Sequence, residues 1–357
     1  MSVGPDRARL PSARLLLCFP SLSFAGKALR SGVDLWVVAD RGQRSAFTAF
    51  AADRLILVDA GDQAAAGAVA EVVRRHGITH VLDADGFPAT RVCPDFASAA
   101  HVLADDRRLA KVLAPSRHPL LRSRVAVTAA DVPEAVAELG PPAVIRGDGA
   151  ETVVRSAGAL AEWVRGRGGR GGPFTVGEFV AGPEVVVTTL THDGMHRVVG
   201  ITAKRAVAHG LRYLHPATLS EAEARQVRAT VTAMLDLVGY EFGPAETWVV
   251  LSPQGPRIRR ARPGFGTTGI RRLIEVAAGF DTQTELFRAL AGVPIRPPEA
   301  RWFAGADVAG PSGGWPAPGP RVVAEGATPE LVEERLDAAR RCLQPSGGAD
   351  RSRPSAP

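Results

Sequence analysis

Short apolar runs alternate with amphipathic stretches through the first hundred residues. Arg14 to Pro20 reads as a buried strand around Leu15-Leu16-Leu17, followed by a turn at Ser21-Leu22-Ser23. Phe24 to Ser31 has helical spacing and closes at Gly32, a favourable C-cap position. Val33–Val38 and Leu55–Val58 predict a second and a third strand, Ala64–His76 a helix stopped by Gly77, and Thr79–Leu82 a fourth strand. Strands alternating with helices in this way predict βαβ units and a parallel sheet.

The pattern then changes character. A helix is predicted over His101–Leu113, a strand at Val125–Val127, and a helix over Val132–Leu139 that Gly140 ends. Pro142–Arg146 reads as a strand entering a Gly147-Asp148-Gly149 turn, Val153–Arg155 as another, and Ala157–Arg165 as a helix capped by Ser156. Phe174–Val180 and Glu184–Thr191 predict strands on either side of Gly182-Pro183, and Arg197–Ala203 returns after the hairpin turn His192-Asp193-Gly194. Glu221–Val238 is a long amphipathic helix, Thr247–Leu251 and Arg257–Ala261 flank a turn, and Ile270–Ala278 and Thr282–Leu290 are helices. Past residue 300, Pro311–Pro320 reads as a linker, Arg321–Ala324 as a strand and Thr328–Cys342 as a helix. Residues 1–12 read as loose and 345–357 as a disordered Ser/Pro/Gly tail.

With 357 residues, about two domains are expected. Apolar residues at 45% and charged residues at 22% argue against wholesale disorder, and only 6% aromatics leaves the core to Val, Leu and Ala. No apolar run reaches the ~18–20 uncharged residues of a membrane span. Leu15–Phe19 is too short for a signal-peptide core, so a cytoplasmic protein without a membrane partner is expected. Cys18, Cys93 and Cys342 are odd in number and dispersed, which excludes a disulfide framework and a thiolate zinc site and reads as free thiols.

The net charge of +6 is carried almost wholly by arginine, the only lysines being Lys27, Lys111 and Lys204. Such a balance suits phosphates or acidic substrates. The arginines are dispersed, and the densest run, Arg165–Gly172, reads as a flexible loop with no aromatic side chains to stack bases, so nucleic acid is not the expected partner.

Several segments, in order, resemble the carboxylate–amine ligases of the ATP-grasp superfamily: Phe24-Ala25-Gly26-Lys27-Ala28-Leu29-Arg30, Asp105-Asp106-Arg107-Arg108-Leu109, Gly140-Pro141-Pro142-Ala143-Val144-Ile145-Arg146, Val176-Gly177-Glu178-Phe179-Val180-Ala181-Gly182-Pro183-Glu184, Val198–Lys204, His215–Leu219 and Gly239–Leu251, with Val322–Gly326 as a closing segment. The resemblance covers about residues 13–342. It implies an α/β architecture: an N-terminal Rossmann-like parallel-sheet domain (1–100), then a two-part ATP-grasp domain (101–300) with a small α+β lid near 122–182 and a larger antiparallel sheet, then a closing segment (301–344). ATP would lie between lid and large sheet. Backbone groups at Glu178, Phe179 and Val180 would pair with the adenine edge, and Glu184 would accept from the ribose diol. Read only as residues, the two glutamates are also consistent with solvated charges that blunt a sheet edge. Arg146, Lys204, Arg260 and Arg262 would meet phosphate, with Lys204 also facing the acyl group, although Lys204 also reads as a surface lysine and the arginines as a solvated strand face. Arg271 would hold a substrate carboxylate. His215, before Pro216, reads as a structural turn.

The sequence departs from the family where the chemistry is done. Such ligases work through an acyl phosphate, and Mg²⁺ demands hard oxygen ligands. Trp248 stands where the first Mg-ligating Glu belongs, Arg260 where the second does, Arg262 in place of the Asn and Gly264 in place of a substrate-binding Arg. Indole and guanidinium donate hydrogen bonds and cannot coordinate a cation. A guanidinium ~4 Å from a unit cation costs about 4 kcal/mol at an effective dielectric near 20. Glu246, two residues from Trp248 on the same strand face, is a single candidate carboxylate. Arg146 replaces a Lys, Asp106 replaces the opening Lys, and the lid loop Gly147–Glu151 is short and carries two carboxylates that would repel phosphate. Two readings follow. In one, the chain is a diverged ATP-dependent amino-acid or peptide ligase in which Arg146, Arg259, Arg260 and Arg262 take over phosphate charge for an acidic substrate. In the other, it is a catalytically inactive ligase-fold pseudoenzyme, a nucleotide- or anion-binding regulator, a metabolite binder or a structural partner; in either, a homodimer or a hetero-partner is expected. No metal ligands are assigned in either.

Overall fold

The computed structural model describes residues 13–59, 63–83, 98–116, 120–147, 150–168, 171–207, 210–266, 268–309 and 322–343. The expectations for residues 1–12, Cys93, Asp148, the Pro311–Pro320 linker and the 345–357 tail fall outside them.

The first unit is a four-stranded parallel sheet in the order β3-β2-β1-β4, from β1 (Arg14–Cys18), β2 (Asp34–Asp40), β3 (Leu55–Val58) and β4 (His80–Leu82). Leu15, Leu16 and Leu17 are all fully buried because helices cover both faces, as parallel strands require. α1 (Leu22–Arg30) starts where the Ser21 hydroxyl accepts from the Phe24 amide, and α2 (Gln63–His76) packs on the opposite face.

Two short helices follow where the spacing predicted one. α3 (Ser98–Ala104) breaks at Asp105, whose carboxylate accepts from the amides of Arg107 and Arg108 and so begins α4 (Asp106–Leu113). A local cap thus overrides the continuous apolar period.

A small antiparallel sheet in the order β5-β8-β6-β7 comes next: β5 (Ser123–Ala126), β6 (Ala143–Gly147), β7 (Ala150–Val154) and β8 (Phe174–Glu178). α5 (Val132–Leu139) covers it, with Val132, Val136 and Leu139 packed on Ile145, Phe174 and Val176. α6 (Ala157–Arg167) flanks it. Arg165–Arg167, expected in a loop, form the last turn of α6; Gly168 closes the helix in the left-handed conformation.

The third unit is a seven-stranded, wholly antiparallel sheet in the order β13-β12-β9-β10-β11-β14-β15. Its strands are β9 (Glu184–His192), β10 (Met195–Val207), β11 (Gly210–His215), β12 (Gly243–Ser252), β13 (Gly255–Pro263), β14 (Phe303–Ala309) and β15 (Val322–Gly326). β11 and β14 were not expected from the sequence. His215, expected in a turn, is the buried last residue of β11, and its Nδ1 pairs with the Thr202 hydroxyl at 3.0 Å.

α7 (Glu221–Val238) covers one face of this sheet, burying Val227, Val231 and Leu235 against Val185, Val187, Ala245, Val249 and Ile258. The Ser220/Glu223 capping box starts it and Gly239 ends it. The other face meets α8 (Thr268–Ala278) and α9 (Thr282–Leu290), and one continuous core runs from Val186 and Trp248 through Phe265, Ile274 and Phe287 to Phe24 of α1. The N-terminal sheet and the large sheet therefore share a hydrophobic core. Lys27 of α1 adds an ion pair to Asp281 at 2.7 Å. α10 (Pro329–Leu343) closes the far end of the sheet over Val322 and Leu214.

A candidate anion-binding cleft

Strand alternation assigns the face of the large sheet that looks toward the lid. On β9 the residues Glu184, Val186 and Thr188 share it; on β12 Glu246 and Trp248; on β10 Lys204. Cross-strand registers arrange them in rows. Tyr213, Lys204 and Glu184 form one, Thr202, Val186, Trp248 and Arg260 the next, and Glu246 and Arg262 lie in the third.

The β12–β13 ladder carries a bulge. Trp248 pairs with Arg260 while Val249 pairs with Ile258, leaving Arg259 as the extra residue. A bulge re-aims one side chain without altering the faces beyond it. Ile258 and Ala261 thus stay buried under α7, while Arg259 and Arg260, adjacent in sequence, both serve the cleft.

An alternating chain of charges crosses from lid to sheet. Arg146 of β6 donates through Nε to Glu151 Oε2 at 2.9 Å, and the same oxygen accepts from Arg259 Nη2 at 3.1 Å. Arg259 Nη1 donates to Glu184 Oε1, and Glu184 Oε2 accepts from Lys204 Nζ at 2.6 Å. In the third row, Arg262 donates to Asp106 of α4 at 2.9 Å. Arg260 lies over the Trp248 ring, 4.1 Å from its centroid, and forms no carboxylate ion pair among the described residues. Burial lowers its guanidinium to about 10, and Arg262 repels it further while Asp106 opposes the shift. Arg259 is also lowered to about 10, by burial first and then by Arg146. Burial lowers the Lys204 ammonium to about 8; Glu151 resists this, and Arg146 and Arg260 add to it. Burial alone would raise Glu151, but Arg146, Arg259 and Lys204 together hold it below the usual carboxylate range.

The other singled-out residues lie outside this network of ion pairs. Glu178 ends β8 and lies 3.7 Å from Arg122 and 3.8 Å from Arg257. The amide of Glu178 donates to Arg122 O and that of Phe179 to Pro142 O, so two of the three backbone donors nominated for adenine already serve the lid. Phe179 and Val180 fall beyond the strand end, and the Phe179 ring lies under the Arg155 guanidinium at 4.8 Å. Gly182 follows with φ +150, where a Cβ would stand 2.0 Å from the Leu251 carbonyl; only glycine lets the connector pass β12 this closely. Arg271 of α8 lies 5.7 Å from the Phe265 ring. Tyr213 was missed with its strand. It faces Lys204 across the ladder, and burial with Glu246 nearby raises its phenol to about 12.

These donors do not fit magnesium. The strand positions that would carry oxygen ligands present an indole under a guanidinium, and Arg262 in a pair with Asp106. Glu246 is fully buried with its carboxyl group against Gly266, where a Cβ would come within 1.9 Å of the carboxyl carbon. No group of three or more His, Cys, Asp or Glu among the described residues could hold a metal ion. No helix among them is long and apolar enough to cross a membrane.

No family model matches the sequence, and no curated protein matches it. Solved structures do match. The chain is similar to L-amino acid ligase from Bacillus licheniformis over 92% of its own length and 97% of that chain, with a TM-score of 0.65 at 16% identity. It is similar to an ADP complex of N5-carboxyaminoimidazole ribonucleotide synthetase (93% and 96% covered, TM-score 0.64, 15% identity) and to phosphoribosylglycinamide synthetase from Anaerococcus prevotii (92% and 98%, 0.61, 11%). The parallel sheet, the small antiparallel sheet and the large antiparallel sheet follow one another here as in an ATP-grasp fold, and that is the fold of this chain.

Proposed function

We propose that this ATP-grasp chain binds the phosphates of a nucleotide, or a comparable anionic metabolite, through guanidinium and ammonium groups without a divalent cation, and does not carry out acyl-phosphate ligation. The observation that supports this reading is the Arg260–Trp248 stack, which puts a half-buried cation and an indole where the family's chemistry needs two oxygen ligands. A stacked guanidinium keeps its N–H edge for a planar or tetrahedral oxyanion. Arg146, Lys204, Arg259 and Arg262 line the same cleft, and Glu184 opens β9 where a ribose diol would be held. Glu178, Phe179 and Val180 would border the base, and Arg271 would hold a substrate carboxylate only if the chain were a ligase. Neighbours of this fold include the ADP complex named above.

Calorimetric titration with ADP and ATP, with and without Mg²⁺, tests the reading. Saturable binding of equal strength in both conditions is expected, with no ADP release when ATP is supplied with mixed amino acids. Binding that tightens with Mg²⁺, or amino-acid-dependent ADP release, supports instead the diverged ligase, in which the same arginines would serve an acidic substrate.

A further inference from the structure

The alternating charge chain holds one acid that the reading above leaves without a role. Glu151 comes from the lid hairpin, where it is the direct cross-strand partner of Arg146. Its Oε2 accepts from Arg146 of the lid and from Arg259 of the large sheet together. A point between these two guanidiniums is where an oxyanion held jointly by lid and sheet would place an oxygen.

We propose that the Glu151 carboxylate occupies the ligand's phosphate seat, so that the cleft is a closed, self-neutralised anion site which a nucleoside diphosphate opens by displacing Glu151, without a metal ion. This rests on the nucleotide reading above and adds how the site is kept shut.

Exposure decides which partner moves. The Glu151 side chain is 44% exposed, against 21% for Arg146 and 16% for Arg259. A carboxylate at the rim can turn into water at little cost, whereas two mostly buried guanidiniums stay charged and are costly to leave without a counter-anion. Charge balance points the same way. With Glu151 turned out, Glu184 is the one carboxylate ion-paired to any of Arg146, Lys204, Arg259 and Arg260 among the described residues, and Asp106 remains with Arg262. Four cations against one carboxylate match a diphosphate, which carries about three negative charges, a terminal phosphate contributing about −1.5 to −2. The same move removes the tie between Glu151 of β7 and the large sheet, while the contact of Glu178 with Arg257 remains.

The test compares the full chain with Glu151→Gln, titrated calorimetrically with ADP and with inorganic pyrophosphate in EDTA. Glutamine keeps the shape and loses the charge; Glu151→Ala serves as a second variant, and thermal unfolding confirms that each is folded. Both variants are expected to bind both probes about two- to fivefold more tightly than the parent chain, the scale of one partly exposed ion pair. Amide exchange over residues 143–154 should rise in the ligand-free variants and fall again on adding probe. Tighter pyrophosphate binding by the variants with no ADP binding keeps the displacement and removes the nucleotide reading. Equal ADP affinity in parent and variants keeps the nucleotide reading and overturns the displacement, and no binding of either probe to any of the proteins overturns both.

Discussion

The Glu151 carboxylate and the Arg259 guanidinium meet at 3.1 Å although 108 residues separate them in the chain. The contact ties the lid hairpin to the large sheet, and it exists because the β13 bulge turns Arg259 toward the cleft instead of toward α7. On its other side Arg259 holds Glu184, which in turn holds Lys204. Each acid in this chain sits between two bases, so several cations can share a cleft from which a dication is repelled.

Binding should depend on pH through Lys204. Its ammonium, lowered by burial to about 8, is charged at pH 7 and mostly neutral by pH 9. Anion affinity, followed by calorimetry from pH 6.5 to 9, is expected to fall as pH rises through about 8, and Lys204→Met should flatten that dependence. Stability of the ligand-free protein moves the opposite way. Between about 8 and the ordinary lysine range the unfolded chain binds a proton that the folded chain does not, so unfolding free energy rises with pH there.

The Arg260–Trp248 stack should separate stability from binding. Trp248 is buried, and Trp248→Ala is expected to cost about 3–5 kcal/mol in urea unfolding. Arg260→Lys keeps the charge but not the planar fork, so it should leave the fold nearly unchanged while weakening phosphate binding about tenfold.

Gly266 and Glu246 should behave as a coupled pair. Gly266 has φ +61 and its missing Cβ is the space that the Glu246 carboxyl group fills. Gly266→Ala is expected to destabilise by more than the ~1 kcal/mol of backbone strain alone. The double variant with Glu246→Ala should be more stable than the sum of the singles predicts, a coupling that a double-mutant cycle measures at roughly 0.5–3 kcal/mol.

The C-terminal strands should prove integral to the sheet. Arg212 of β11 donates to both oxygens of Asp307, at 2.7 and 2.8 Å, and to Asp337 of α10 at 2.5 Å. These carboxylates raise its guanidinium above the ordinary arginine range, so it stays charged while buried. Arg212→Gln strands two acids against a buried neutral side chain and is expected to cost about 3–5 kcal/mol, read by chemical denaturation.

The sequence alone determined what neighbouring residues dictate. α7 and α9 begin and end where predicted because their caps are local, a Ser220/Glu223 box and an Asp281 side chain. The four strands of the parallel sheet stand near their predicted places because each is an apolar run long enough to need burial. The cations of the cleft were legible as residues. Tertiary structure decided the rest. β11 and β14 become strands by pairing with each other, Leu211 beside Val308, and β14 carries Gly and Ala residues of weak strand preference. Asp106 and Arg262, two departures from the family read separately, form one ion pair across 156 residues. Two consecutive arginines reach one cleft only through a bulge that strand alternation alone would forbid. Glu151, which beside a lid loop should repel phosphate, instead closes the circuit between lid and sheet. Caps and periodicity act over a few residues and are written in order along the chain, whereas ion pairs and ladder faults depend on which distant segments the folded core brings together.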